Sequence, residues 1–322
     1  MNGGGFRLLA LVLGTALFTV LPALVSAQED GGLSRSIEIR PFSSFAPSEN
    51  TIPLALGDAG EITLTAKLTE DGENIGRGLI WRVFGQAPGA DGKLPLVASA
   101  QGGMASFQLQ PGSYLVHVAF GRAGATKRIT IGREARREDL VLDAGGLKLD
   151  AVLAGGVRIA PDKLRFSIYD ARTETDGDRA LIIPDVSPNT VVRLNSGTYH
   201  VVSTYGSVNA VIRSDIRVEA GKLTEATVEH KAAELTMKLV REPGGEAIAD
   251  TSWSILSESG DPVRESVGAF ASMVLAEGDY TIIAKNRDRI YQRDFTVEGG
   301  RNQEVEVVAD EASSVDPVDG AD

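Results

Sequence analysis

The chain of 322 residues has no cysteine, which excludes disulfide staples, thiolate metal sites and a lipid-modified N-terminal cysteine together. An exported domain built this way has to stand on its hydrophobic core alone. Aromatic residues are scarce at 6%, leaving little material for an exposed stacking platform of the kind sugar-binding sandwiches use. Histidine occurs only at His117, His200 and His230. There is no Gly-x-Ser-x-Gly elbow, glycine-rich phosphate loop or His-Glu-x-x-His pair, so no nucleophile has a candidate base and no enzymatic activity is expected. No catalytic, cofactor-binding or metal-binding residue is nominated, and no cofactor is implied. Positive charge is also short, with 32 Lys and Arg against 44 Asp and Glu for a formal net charge of -12. A fold this acidic repels nucleic acid and anionic lipid surfaces, so neither is an expected partner.

Only one long apolar run exists, from Leu8 to Leu24. It follows a single positive charge, Arg7, and closes on Val25-Ser26-Ala27 before the polar Gln28-Glu29-Asp30. That order is the order of a secretory signal, and residues 1–27 are expected to be cleaved. The competing reading is an uncleaved anchor, because such a run is near the lower limit for crossing a bilayer. Cleavage predicts a periplasmic or secreted protein with no stable membrane insertion.

The rest of the chain repeats itself. The frame Leu-x-x-Gly-x-Tyr occurs as Leu109-Gln-Pro-Gly-Ser-Tyr114, Leu194-Asn-Ser-Gly-Thr-Tyr199 and Leu275-Ala-Glu-Gly-Asp-Tyr280. Upstream of each lies an aromatic in a short apolar stretch: Trp81 with Val83, Phe166 with Ile168, Trp253 with Ile255. Each unit opens on an alternating strand, carried by Ile62, Leu64, Ala66 and Leu68, by Leu147 and Leu149, and by Leu235, Met237 and Leu239. Alternation of period two buries one face of a strand and wets the other. It resumes after each tyrosine and again in the closing pairs. Glu219-Ala-Gly-Lys222 and Glu298-Gly-Gly-Arg301 read as glycine-bearing hairpin turns. Six or seven strands per unit of about 85 residues predict an all-β protein of three tandem antiparallel β-sandwich domains. The expected division is signal 1–27, linker 28–56, sandwiches 57–144, 145–231 and 232–310, and a disordered acidic tail 311–322. The stretch from Arg133 to Glu138 is expected to be a charged loop, and the close spacing of the units predicts a semi-rigid rod.

Segments such as Leu109-Gln-Pro-Gly-Ser-Tyr-Leu-Val-His-Val118 resemble the strand-turn-strand signature of carboxypeptidase-regulatory-like and Cna-B-type domains. The resemblance covers one hairpin per repeat and implies prealbumin-like or immunoglobulin-like sandwiches serving as spacers, stalks or binding platforms. It also suggests that each motif tyrosine reaches a backbone group, as in a tyrosine corner. Some Cna-B-type domains crosslink a buried lysine of the first strand; here Lys67, Lys148 and Lys238 lie between inward residues, so no such crosslink is expected.

The remaining candidates have plain structural readings. His117 and His200 fall on outward positions and His230 at a repeat end, so surface roles are expected. Glu70-Asp71-Gly-Glu73 and Glu174-Thr-Asp176-Gly-Asp178 could hold calcium but match no calcium loop, and acid-glycine strings are ordinary turn chemistry. Tyr169 and Tyr291 are the aromatics expected at the surface. Leu115, Val202 and Ile283 add apolar area to an outward face, marking either a contact with a partner or neighbouring repeat, or scattered surface residues. The sequence therefore points to a non-enzymatic exported spacer or scaffold whose partner is an envelope protein, with a glycan- or cation-binding module as the alternative.

Overall fold

The computed structural model describes residues 59–173, 177–311 and 313–315. The expected signal and linker lie outside the described residues, as do Glu174, Thr175 and Asp176.

The chain is almost entirely strand. The first repeat runs β1 Gly60–Lys67, β2 Leu79–Gly85, β3 Leu96–Gly102, β4 Ala105–Leu109, β5 Gly112–Phe120, β6 Ala123–Ile131 and β7 Arg136–Val141. The second runs β8 Ala144–Leu153, β9 Val157–Arg158, β10 Leu164–Thr173, β11 Arg179–Val186, β12 Val191–Asn195, β13 Gly197–Tyr205, β14 Ala210–Val218 and β15 Leu223–His230. The third runs β16 Ala232–Val240, β17 Thr251–Ser257, β18 Pro262–Val267, β19 Phe270–Ala276, β20 Gly278–Asn286, β21 Arg289–Val297 and β22 Gln303–Val308, followed by β23 Ser314–Val315. In β8 the cause is visible residue by residue: Leu147, Leu149, Ala151 and Leu153 are buried while Lys148, Asp150 and Val152 between them are not.

Each repeat is two sheets packed face to face. The smaller sheets have strand orders β4-β1-β7, β12-β8-β15 (with β9 beside β8) and β19-β16-β22; the larger ones are β3-β2-β5-β6, β11-β10-β13-β14 and β18-β17-β20-β21-β23. The opening strand of each repeat is central in the smaller sheet. The motif strand pairs antiparallel on one side and the closing strand pairs parallel on the other. The parallel pair departs from the expected all-antiparallel sandwich. A parallel neighbour needs a long crossover, and here the intervening strands of the sandwich supply it. For the same reason Glu219-Ala-Gly-Lys222 and Glu298-Gly-Gly-Arg301 are not hairpin turns. They are corners that carry the chain from the larger sheet to the smaller, from β14 to β15 and from β21 to β22.

Three hydrophobic cores result, centred on Trp81, Phe166 and Trp253. A buried indole N–H needs an acceptor. Trp81 Nε1 donates to Gly103 O at 2.9 Å and Trp253 Nε1 to Gly268 O at 2.9 Å, whereas Phe166 has no donor to satisfy. The motif tyrosines form the expected corners. Tyr114, Tyr199 and Tyr280 donate from Oη to the carbonyl four residues back, Gln110, Asn195 and Ala276, at 2.9, 2.8 and 3.0 Å.

Three further expectations about strands and tail are corrected. The loop expected over Arg133 to Glu138 is confined to residues 133–135, and Arg136–Val141 is a strand: it pairs parallel with β1, and its inward Glu138 is covered by ion pairs to Lys127 (2.7 Å) and Arg136. Tyr291 is a core residue of the third repeat, only 6% exposed, because it falls in step with Phe295 and Val297. The tail is not free from residue 311: Ser314 and Val315 pair antiparallel with Tyr291 and Ile290, and Gln292 N donates to Ser313 O at 2.8 Å.

Candidate interaction surfaces

Almost no linker separates the repeats; β7 ends at Val141 and β8 starts at Ala144, while β15 ends at His230 and β16 starts at Ala232. At the first junction the β5–β6 turn of repeat one docks on β12 of repeat two. Arg122 N donates to Arg193 O at 3.0 Å, and the Arg193 guanidinium lies 4.3 Å from the Phe120 ring centroid, a cation–π contact. The Asn195 amide forms a complete stitch: Oδ1 accepts from Gly124 N at 3.1 Å, and Nδ2 donates to Gly124 O at 3.1 Å and Leu142 O at 2.7 Å.

The second junction repeats that plan with different residues. The β13–β14 turn docks on β19, where Asn209 Oδ1 accepts from Ala276 N at 2.9 Å and Asn209 Nδ2 donates to Tyr280 Oη at 2.8 Å. Lys163 Nζ sits 2.5 Å from Glu234 Oε1, and this hydrogen bond raises the lysine pKa. Val274 packs into the core of repeat two, and Val208 against that of repeat three. Close approach is made possible by a glycine opening each turn. A Cβ on Gly121 (φ 67°) would stand 3.1 Å from Arg193 Cβ, and one on Gly206 (φ 72°) 2.7 Å from Val274 Cβ. In the third repeat the equivalent position is Arg287, at φ 55°.

The histidines divide. His117 and His200 lie on outward positions, with Nδ1 against Thr126 Oγ1 at 2.9 Å and Asp215 Oδ1 at 2.7 Å. Burial, then the charge of Arg82, lowers the His117 pKa. His230 overturns its expected surface role: it is 1% exposed, with Nε2 2.8 Å from Ser203 Oγ and its ring edge-on to Tyr205 at 6.0 Å. Burial lowers its pKa. The signal was present, since His230 continues the inward alternation of Ala226 and Val228.

The lysines of the opening strands lie along the outer face of the smaller sheets, paired with carboxylates of the parallel closing strand. Lys67 is 3.8 Å from Asp139, Lys148 2.9 Å from Glu225, and Lys238 2.7 Å from Glu304 and 3.1 Å from Glu306. Such solvent-screened pairs add little stability each. Among the described residues no group of three His, Asp or Glu is placed to hold a metal ion. Leu115, Val202 and Ile283 are all half-buried on the outer face of the larger sheets. Beside Val202 that face is concave: a recess of about 410 Å³ is lined by Tyr169, Gly177, Asp178, Arg179, His200, Val202 and Arg213. Tyr169 and His200 meet edge-on with ring centroids 6.4 Å apart. None of the described helical turns is long and apolar enough to cross a membrane.

The model of one protein family, described as the Rhizobiales growth-associated tandem repeat domain, matches residues 234–309. That is the third sandwich, less than half of the chain. No curated protein matches. Among solved structures, the chain is similar to the Bacillus anthracis TIE protein at 19% identity and TM-score 0.23, over 78% of this chain and 50% of that one, so it spans half the length of that relative. It is similar to GBS52, the minor pilin of Streptococcus agalactiae, at 15% identity and TM-score 0.29, over 53% of this chain and 95% of that one. It is also similar to BcpA, the major pilin subunit of Bacillus cereus, at 10% identity and TM-score 0.24, over 78% of this chain and 100% of that one. The sequence-level likeness rests on the third repeat, with a domain described as a tandem repeat.

Proposed function

We propose that the chain is an exported, non-enzymatic protein of the cell envelope, working as a spacer or protein-interaction scaffold whose partner is another envelope protein. Its division would be signal 1–27, linker 28–56, and sandwiches 57–144, 145–231 and 232–310. The observation that carries this reading is the pair of junctions. Hydrogen bonds by Asn195 and Asn209, the Lys163–Glu234 ion pair and the seating of Val274 hold each repeat against the next. Specific polar contacts placed between neighbouring domains hold their surfaces at a fixed separation. Inter-domain contacts of this kind oppose the relative motion that flexible linkers permit. The match of residues 234–309 to a growth-associated repeat domain directs the search for the partner to proteins associated with growth.

The test is in-cell crosslinking of the tagged protein with fractionation of periplasm, membrane and medium. The expected result is a product shortened by residues 1–27, recovered outside the cytoplasm and crosslinked to one defined envelope protein. A full-length cytoplasmic product without a specific crosslink would refute the reading.

A further inference from the structure

The three repeats are controls for one another. What all three share the sandwich requires, and what only one has needs another explanation. Strand register aligns Tyr169 with Phe84 and Leu256, His200 with Leu115 and Thr281, and Arg213 with Thr126 and Gln292. The outer face of the larger sheet is thus apolar at two of these positions in repeat one and mostly neutral in repeat three. Only in repeat two does it gather an aromatic hydroxyl, an imidazole and a guanidinium at one place, joined by Arg179 from the edge strand β11. The fold asks for none of these.

We propose that this recess binds a monoanionic carboxylate on a sugar-sized body, that is, a sugar acid of the hexuronate class. Two cations line it, Arg179 and Arg213, and neither takes part in an ion pair with a described residue although acidic residues outnumber basic ones along the chain. A guanidinium fork matches the two oxygens of a carboxylate. Arg179 is steadied by its Nε–H donating to Ala171 O at 3.3 Å, and His200 by Asp215 Oδ1 at 2.7 Å, which leaves Nε2 as the imidazole's remaining hydrogen-bonding atom. Val202 and the Tyr169 ring give the wall its apolar part. The volume of about 410 Å³ suits one sugar ring with its substituents. A phosphate dianion costs more to desolvate than a carboxylate, and with Asp178 and Asp215 beside the two arginines there is no net positive charge to offset that extra cost.

The experiment is an NMR titration of the whole mature chain with sodium glucuronate, glucose 6-phosphate and glucose in parallel, following backbone amides of β10, β13 and β14. Saturable shifts confined to these strands with glucuronate, weaker with the phosphate and absent with glucose, are the expected result. Arg213→Gln and Arg179→Gln should each weaken glucuronate binding about tenfold or more, the worth of a lost charge-assisted hydrogen bond. Both positions are exposed, so an unchanged spectrum elsewhere shows that the variants fold. Equal binding of phosphate and glucuronate would overturn the carboxylate assignment. No saturable shift, or shifts unaffected in both variants, would overturn the site.

Discussion

Removing one oxygen from each motif tyrosine should give three different costs, because the same corner is buried to different depths. The Tyr114 hydroxyl bonds Gln110 O at an exposed site, the Tyr199 hydroxyl bonds Asn195 O at a partly buried one, and the Tyr280 hydroxyl both donates to Ala276 O and accepts from Asn209 Nδ2. A typical hydrogen bond contributes about 1 kcal/mol net, and a buried donor left unsatisfied costs about 1–3 kcal/mol more. Tyr114→Phe should therefore cost about 0.5 kcal/mol, Tyr199→Phe about 1 kcal/mol and Tyr280→Phe about 2–3 kcal/mol. The chain supplies its own probe, since its two tryptophans are Trp81 and Trp253, in repeats one and three. Repeat two uses phenylalanine at the equivalent site, so Trp81→Phe is a tolerable background in which urea unfolding followed by fluorescence reports Trp253 alone. In that background Asn209→Ala and Tyr280→Phe should be coupled by about 1 kcal/mol in a double-mutant cycle. Equal costs at all three tyrosines, or additive effects of Asn209→Ala and Tyr280→Phe, would refute the account of the second junction.

Stability should fall on acidification through His230. Burial depresses its pKa in the fold, so the native residue stays neutral while the unfolded chain takes up a proton near the ordinary value of 6.5. Stability is then full above that value and declines below it, by at most about 1.4 kcal/mol per pH unit for one proton; His230→Gln should flatten the difference in melts between pH 7 and pH 5. Deleting residues 311–322 should cost about 1 kcal/mol or less, the worth of one short strand contact, and should remove hydrogen-exchange protection at Gln292 N–H; unchanged protection would mean the tail is not seated on β21. Gly206→Ala should cost about 1–3 kcal/mol through left-handed backbone strain and crowding of Val274, read as earlier unfolding of repeats two and three; a neutral result would show the second junction to be loose.

The repeat architecture was legible because its signals are local. Period-two alternation, the inward aromatic and the glycine before each tyrosine are all readable within ten residues, and each landed where expected. Charge concealed the rest. In β7 the inward place ahead of Leu140 belongs to Glu138, whose neutralising partners Lys127 and Arg136 flank it only once the sheets have packed. Tyr291 was hidden the same way, between Arg289 and Arg293. Which strands pair is a long-range matter on which the sequence is silent, so neither the parallel closing strand nor the corner role of Glu219-Ala-Gly-Lys222 could be read from it. The recess of repeat two lay beyond reach for the same reason: Arg179, His200 and Arg213 stand on three different strands, and only register brings them to one face.

The acidity of the chain is unevenly placed. Residues 232–310 hold 15 acidic and 8 basic residues, and residues 311–322 hold four acidic and no basic ones. Repulsion of nucleic acid or of a second copy is therefore concentrated at the third repeat, while the first two present balanced surfaces on which a partner can settle.

The hairpin that each repeat offers to its successor has a different character at the end of the series. Arg287 stands where Gly121 and Gly206 allow contact, and the edge at Ile290, whose counterpart Gly124 is gripped by Asn195, is already taken by Val315. A fourth sandwich presented in the same pose would meet a bulky side chain and an occupied edge, so this turn does not offer the seat that the first two turns offer.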